Sequence, residues 1–133
     1  MFPVWLSALV DAAARCPDAP LLYGARVTRE ASGAERVHLA EFDRASLEEH
    51  NGIDTGQIGH RADDRVRWDP TLSRFSDWDL VLRLTDERAG EPVPALAVGY
   101  TTDAPDRVTE HQDAEAAAAR VRASARDRTA RRG

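Results

Sequence analysis

Residues 78–85, with the sequence WDLVLRLT, show the most regular alternation of apolar and polar side chains in this chain. One face of an extended backbone here would carry four large apolar side chains: Trp78, Leu80, Leu82 and Leu84. The opposite face is mainly polar and carries Asp79, Val81, Arg83 and Thr85. A period of two is typical of a strand with one buried face. We therefore predict that this segment is the best-buried strand of a β-sheet.

The remaining elements are predicted outward from this strand. Alternating apolar residues predict further strands over residues 21–28, 36–43, 65–69 and 93–102, and the first two of these strands form a hairpin. Apolar residues at helical spacing predict helices over residues 3–16 and 109–128, with shorter helical segments at 47–50 and 71–77. The short connections between consecutive strands favour antiparallel pairing.

The order of elements is therefore α-β-β-α-loop-β-β-β-α. This order predicts an α+β fold, in which a single domain has a mainly antiparallel sheet of about five strands and helices packed on one face. Residues 1–108 form the body, and residues 109–133 form a C-terminal helix rich in Ala and Arg that frays at its end. Because this helix has little apolar surface, deletion of residues 120–133 is expected to shift the melting temperature by only a few degrees.

The composition is that of a globular protein of one domain. The chain has 133 residues, of which 42% are hydrophobic and 31% are charged. All 18 basic residues are Arg, and the absence of Lys excludes a Schiff-base lysine and the lysine of a phosphate-binding P-loop. The abundance of Arg, Ala, Asp and Val indicates a genome rich in G and C, so we expect a bacterial source.

The charge is unevenly distributed along the chain. Residues 1–115 carry 12 Arg and 22 acidic residues, a net charge of −10. Residues 116–133 carry six Arg and one acidic residue, a net charge of +5. An acidic body is unsuited to following a phosphate backbone, so nucleic acid is an expected partner only of the C-terminal Arg-rich tail.

The sequence also predicts the compartment. Cys16 is the single cysteine, which excludes an intramolecular disulfide. No basic residue precedes the apolar N-terminal run, as a signal peptide would require, and no stretch approaches the roughly 20 apolar residues of a membrane helix. We predict a cytoplasmic protein without membrane association.

One stretch departs from helix and strand patterns. Residues 49–69, EHNGIDTGQIGHRADDRVRWD, hold two of the four histidines and three of the eight glycines. A polar loop of this kind is where a small domain usually carries its function. Its candidate metal or acid–base residues are His50, Asp54, His60 and Asp63, with Asp64 beside them. Their spacing matches no known ligand pattern, so a solvated structural loop is the favoured interpretation, and we predict no metal or other cofactor.

Candidate binding residues lie in and beside the same loop. Trp68 and Trp78, close to charged residues, are either contact residues for a partner or core residues. With these two tryptophans, the candidate set is Asn51, Gln57, Arg67, Trp68, Arg74 and Trp78.

Three hypotheses for function follow. The leading one is a small non-enzymatic binding or accessory protein, which contacts a protein partner or a second copy of itself through the loop at residues 50–69. It requires an exposed apolar patch. The first alternative is a metal-dependent or acid–base enzyme that uses His50, Asp54, His60 and Asp63, and it requires the two histidines to converge in a cleft. The second alternative is a sensory domain that binds a small ligand in an enclosed pocket lined by Trp68, Trp78 and Tyr100.

Overall fold

The structure is a computed structural model that describes residues 1–63, 66–102 and 114–133. The described residues form four α-helices and one four-stranded sheet. The helices are α1 (Val4–Arg15), α2 (Arg44–Glu49), α3 (Ser76–Leu84) and α4 (Ala114–Arg132). The strands are β1 (Leu22–Arg29), β2 (Glu35–His38), β3 (Ile58–Gly59) and β4 (Glu91–Thr101). The predicted α+β class is confirmed, with four strands where about five were expected.

Strand β1 is the centre of the sheet. It pairs with β4 in parallel from Leu22 to Arg29, and this pairing occupies one whole edge of β1. The other edge is shared by β3, at Leu22 and Tyr23, and by β2, from Arg26 to Arg29, and both pair antiparallel to β1. Two of the three pairings are thus antiparallel, while the longest one is parallel.

The segment at residues 78–85 is helical, and its prediction as the best-buried strand was wrong. Trp78, Val81 and Leu82 lie in one core cluster, and Thr85 is also buried. These positions follow the helical spacing i, i+3, i+4 and i+7. Residues 78–85 fit the strand spacing as well as the helical one, because α3 is buried on several sides, including at Leu80 and Asp79. Periodicity cannot distinguish a short helix buried all round from a strand.

The helices lie on both faces of the sheet, which corrects the prediction of one face. Trp5 and Ala12 of α1 form a cluster with Leu22, Val93 and Ala97. Tyr23, the next residue of β1, points to the other face and joins the cluster formed with α2, α3 and α4. Because consecutive strand residues alternate between faces, Leu22 and Tyr23 anchor one helical layer each.

The C-terminal helix is part of the core, contrary to the prediction of weak packing. Its Val121 and Ala125 are 1% and 0% exposed, and both join the cluster that contains Trp78. Small Ala side chains allow α4 to approach α3 closely, so the Ala content that predicted weak packing here permits tight packing. The predicted start of this helix, at residues 109–113, lies outside the described residues.

Other predicted elements differ at their bounds. The second hairpin strand ends at His38 instead of residue 43, and residues 66–69 of the short strand predicted over 65–69 are irregular. The helical segment predicted at 71–77 begins only at Ser76. Before it, the Thr71 backbone N–H and hydroxyl both donate to the Asp69 carboxylate, and these two hydrogen bonds hold residues 69–71 in a turn. None of the helices in the described ranges has the length and apolar character that a membrane span requires.

Candidate functional site

The loop that the sequence singled out is packed against β1 at residues 53–57. Asp54 and Gln57 form a capping box around a short 3-10 helix, Thr55–Gln57. Ile53 is buried in the core, and the buried Gln57 side chain donates a hydrogen bond to the Gly24 carbonyl at 2.9 Å. This part of the loop therefore lies between two cavities, one lined by Ile53 and Gln57 and the other lined by Asp54.

The two histidines of the predicted metal or acid–base set do not meet. His50 follows α2, on the face that carries α3 and α4. His60 lies beside Leu9 and Ala13 of α1, on the other face. Asp63 contributes its backbone carbonyl to a turn with Val66, at 2.9 Å. Across the ranges 1–63, 66–102 and 114–133, no three His, Cys, Asp or Glu side chains are grouped to hold a metal ion, and Asp64 lies outside these ranges.

The predicted binding residues separate into three groups. Trp78 is a core residue, 2% exposed, whose indole N–H donates to the Leu47 carbonyl at 2.6 Å. Trp68 is 47% exposed, and the backbone carbonyl of the exposed Arg67 accepts a hydrogen bond from Arg83 at 2.5 Å. Asn51 and Arg74 line a cavity together, while Gln57 lines another.

The first cavity, which we call the groove, has a volume of about 590 Å³. It lies between β1, β2, the segment at residues 39–43, α2 and the loop at 52–57. Its apolar lining includes Tyr23, Phe42, Leu47 and Ile53. The Tyr23 hydroxyl donates to the Ala40 carbonyl at 2.7 Å, which ties the segment 39–43 to the sheet. Burial raises the pKa of Tyr23 to about 12, and the charges of Glu91 and Glu41 add to this effect.

Strand β2 forms the rim of the groove. All four of its residues, Glu35–His38, are exposed. Among the described residues β2 pairs only with β1, so its outer backbone edge is unpaired. Two lining residues at this rim remain exposed, Val37 by 64% and Leu39 by 37%. The rim therefore combines an unpaired strand edge with exposed apolar side chains.

The second cavity, which we call the polar cleft, has a volume of about 760 Å³. It lies at the far end of the sheet, between the loop at residues 51–55 and the start of α3. Its lining is mostly polar or charged: Arg26, Thr28, Asn51, Asp54, Thr55, Ser73, Arg74, Phe75, Ser76, Asp77 and Tyr100. Arg26 lines both the groove and the polar cleft.

Asp54 is fully engaged inside the polar cleft. Its Oδ1 accepts hydrogen bonds from the Tyr100 hydroxyl at 2.8 Å and from the Gly56 backbone at 3.0 Å, and its Oδ2 lies 3.5 Å from Arg26. Glycine is required at position 56, because a Cβ there would lie 2.7 Å from the Tyr100 hydroxyl oxygen. Burial raises the pKa of Tyr100 to about 12, and its hydrogen bond to Asp54 acts in the same direction.

Asp77, in the first turn of α3, and Arg74, just before that helix, also line the polar cleft. Burial raises the pKa of Asp77 above its ordinary value, and the Asp54 charge adds to this, against the opposing backbone hydrogen bonds from Trp78 and Thr55. Arg74 is 7% exposed, and its guanidinium carbon lies 5.2 Å from the centre of the Phe75 ring. Phe75 has a φ of 59°, the one positive φ of a non-glycine residue in the described chain. A bulky residue in that region is strained, and such strain is concentrated at ligand and active sites.

A third polar cluster lies after the other end of α3 and is closed by ion pairs. The Asp86 carboxylate is 6% exposed and pairs with Arg44, Arg128 and Arg132 at 2.9, 2.9 and 3.0 Å. The Arg side chains of α4 thus contact the body of the protein: Arg120 and Arg126 approach Asp69 and Glu49 in the same way. The tail that was considered for nucleic acid binding has most of its positive charge matched internally.

Sequence analysis missed Arg26 and Asp77 as site residues, and it named Tyr100 only as a neighbour of the two tryptophans. The three residues come from β1, α3 and β4, so no sequence spacing links them. Comparison of the chain with known protein families, with curated proteins and with solved structures found no match, so function is inferred from the two cavities themselves.

Proposed function

We propose that this chain is a non-enzymatic binding protein that holds an extended segment of a protein partner along β2 and in the groove. The observation that carries the proposal is the outer edge of β2, which no described residue pairs with, beside a partly apolar groove of about 590 Å³. Residues 52, 53 and 57 of the loop that the sequence singled out form part of the groove wall. In this proposal the loop contacts the partner through the residues that line the groove.

The other two hypotheses find less support in the geometry. An enzyme that uses His50 and His60 needs both in one cleft, and they lie on opposite faces of the sheet. An enclosed sensory pocket needs the two tryptophans beside Tyr100, whereas Trp78 is in the core and neither tryptophan lines the polar cleft. An exposed apolar patch is present at Val37 and Leu39. This patch favours the binding protein.

The proposed mode of binding is strand addition. An exposed strand edge presents N–H and C=O groups that a further strand pairs with, and side-chain pockets then select the sequence. A segment paired with Glu35–His38 would point every second side chain towards the face that holds the groove. Main-chain hydrogen bonds would supply affinity, and an apolar side chain in the groove would supply specificity.

The charge of the body favours a basic partner segment. The whole chain has a net charge of −5, because the Arg side chains of α4 pair with acidic residues of the body and cancel part of its charge. Glu41 lines the groove and is exposed, whereas Arg26 faces Asp54. The proposed partner segment therefore alternates apolar residues with Arg or Lys. A second copy of this acidic chain is less suited, since the two copies would repel each other.

The test is selection of random 12-residue peptides against the purified protein, followed by titration of the enriched peptides. Val37→Arg adds a positive charge at the rim and should weaken binding of the basic segment at least tenfold, because an added strand places a side chain beside Val37. Val10→Arg is a matched control, because Val10 is 60% exposed but lies on α1. It should change the affinity less than twofold. Methylation of alternate backbone amides of the peptide should abolish binding.

Three outcomes would contradict the proposal. One is enriched peptides that bind Val37→Arg and wild type equally well. Another is binding that tolerates methylation of every backbone amide, since strand addition depends on those groups. The third is a wild-type dimer that becomes monomeric in Val37→Arg, which would show that a second copy of the chain occupies the edge.

A further inference from the structure

Independently of the groove, we propose that the polar cleft binds a small organic cation that carries a primary ammonium or guanidinium group. The cleft has a volume of about 760 Å³, within the range of roughly 300–1,000 Å³ that is typical of small-molecule sites. A small ligand therefore fits, and the polar groups of the lining decide its chemistry.

Most charges of the polar cleft are already matched. Asp54 accepts from Tyr100 and from the Gly56 backbone and lies 3.5 Å from Arg26. The buried Arg74 guanidinium lies over the ring of Phe75. These contacts leave neither Asp54 nor Arg74 as the group that most needs a ligand.

Asp77 is the unmatched charge. Its Oδ1 accepts a hydrogen bond from the Trp78 backbone at 2.8 Å, and the Thr55 backbone also donates to its carboxyl. Within the ranges that the structure describes, no Arg or His side chain forms an ion pair with it. A desolvated carboxylate without a cation is costly, and a ligand that brings positive charge removes that cost.

Two further groups define the shape of the ligand. The Asn51 side-chain oxygen is buried and, in the described chain, accepts no hydrogen bond, so it offers an acceptor to a ligand N–H. The Arg26 Nε is likewise buried and donates to no described residue, so it offers a donor to a ligand oxygen. Ammonium and guanidinium groups supply the positive charge that would neutralise Asp77 and several N–H donors for the Asp77 carboxylate and the Asn51 side-chain oxygen. An oxygen elsewhere on the ligand, such as a hydroxyl, would satisfy Arg26.

The test is calorimetric or NMR titration of the full chain with four probes of similar size: 4-amino-1-butanol, butylguanidinium, butanol and butyrate. The two cations should bind at least tenfold more tightly than butanol and butyrate. Asp77→Asn keeps the size of the side chain and removes its charge, and it should weaken cation binding at least tenfold. Asp18→Asn is the matched control, because Asp18 is 85% exposed and is not among the residues that line the polar cleft. It should change binding less than twofold.

A second variant guards against a folding defect in the first. Asn51→Leu keeps the shape of the side chain but removes the acceptor oxygen, and it should weaken cation binding at least threefold while the melting curve remains cooperative. Preferential binding of butyrate would overturn the proposal, since it would identify an anion site centred on the arginines. Equal binding of the cations by wild type and Asp77→Asn would overturn it as well, as would no binding of either cation at millimolar concentration.

Discussion

The carboxylates at the two ends of α3, which are buried or partly buried, differ in their partners. Beyond its C-terminal end, Asp86 pairs with three Arg side chains from α2 and α4. Asp79, one turn into the helix, pairs with Arg83 at 2.8 Å. At its N-terminal end, Asp77 has backbone N–H donors and no cation among the described residues.

This difference separates a carboxylate that orders the fold from one that we propose to bind a ligand. A buried carboxylate that is surrounded by Arg orders the elements which supply those arginines, and it has nothing left to offer a ligand. A desolvated carboxylate in a cavity without a cation is the kind of group that marks a binding site. The same helix therefore contributes to the core at one end and to the polar cleft at the other. Four predictions test whether the two ends of α3 differ in this way.

The largest expected effect is that of deleting residues 120–133. The deletion removes the buried Val121 and Ala125, and it also removes Arg128 and Arg132 from Asp86. We expect the cooperative thermal transition to be lost, in contrast to the shift of a few degrees that the sequence predicted. Arg126→Ala is the control, because its exposed pair with Glu49 should contribute less than about 1 kcal/mol. A truncated chain that melts within a few degrees of the full chain would show that the paired end of α3 is dispensable.

The second effect is that of Asp86→Asn, which removes the carboxylate shared by Arg44, Arg128 and Arg132. Arg44 keeps its pair with Glu48, and Arg128 keeps only Asp79, at 3.9 Å. Loss of one partner of a buried ion pair costs about 3 kcal/mol of unfolding free energy. Denaturant unfolding measures this loss. Asp127→Asn is the comparison, since the Asp127 pair with Arg131 is exposed and should contribute less than about 1 kcal/mol. Equal losses in the two variants would mean that the ion pairs of Asp86 contribute no more to the free energy of unfolding than an exposed pair does.

The third effect is that of Tyr100→Phe in the polar cleft. Loss of the hydrogen bond to Asp54 should cost about 1 kcal/mol at neutral pH. The pKa of Tyr100 is raised from 10.0 to about 12, so the folded state keeps a proton that the unfolded chain releases. The stability advantage of the wild type over Tyr100→Phe is therefore present below pH 10 and is lost as the pH rises towards 12. Unfolding at several alkaline pH values measures it, and a gap that widens over this range would contradict the assigned environment of Tyr100.

The smallest effect is that of Asp77→Asn, and its sign depends on pH. Because burial raises the pKa of Asp77 above 3.8, the carboxyl stabilises the folded state in its protonated form, and that contribution is lost as the pH rises through the folded-state pKa. Asp77→Asn should therefore become more stable relative to wild type as the pH rises from 3 to 7.

Asp69→Asn is the matched opposite of Asp77→Asn. Hydrogen bonds from Thr71 lower the pKa of Asp69, so its contribution is present above pH 3.8 and is lost as the pH falls through the folded-state pKa. Asp69→Asn should lose stability relative to wild type over the range in which Asp77→Asn gains it. Unfolding curves of the three proteins at pH 3 and pH 7 measure both signs. Equal signs for the two variants would remove the distinction between an unmatched carboxyl and a matched one.

The candidate sites were only partly predictable from sequence. Asn51, Asp54 and Gln57 were identified because an unusual polar loop contains them. Tyr100 reaches Asp54 across 46 residues of chain, and the groove joins β2 to α2 and to the loop. No local pattern records such approaches, because they depend on which strands pair. Trp78 was ambiguous for a related reason, because the residues around a tryptophan in the sequence do not show whether it lies in the core or at an interface.

The class of the fold, helix α1, the hairpin of β1 and β2, strand β4 and the presence of a C-terminal helix could all be predicted from the amino-acid sequence. Local periodicity, turns and capping residues specify these elements, so short stretches of sequence are sufficient. In contrast, tertiary packing was needed to show that residues 78–85 are helical, that α4 belongs to the core and that β4 runs parallel to β1. Burial from several sides hides the helical period of α3, and Ala packs tightly only where a partner helix approaches. Charges become matched or unmatched in the same way, because a carboxylate such as Asp77 or Asp86 acquires its partners only when distant segments meet.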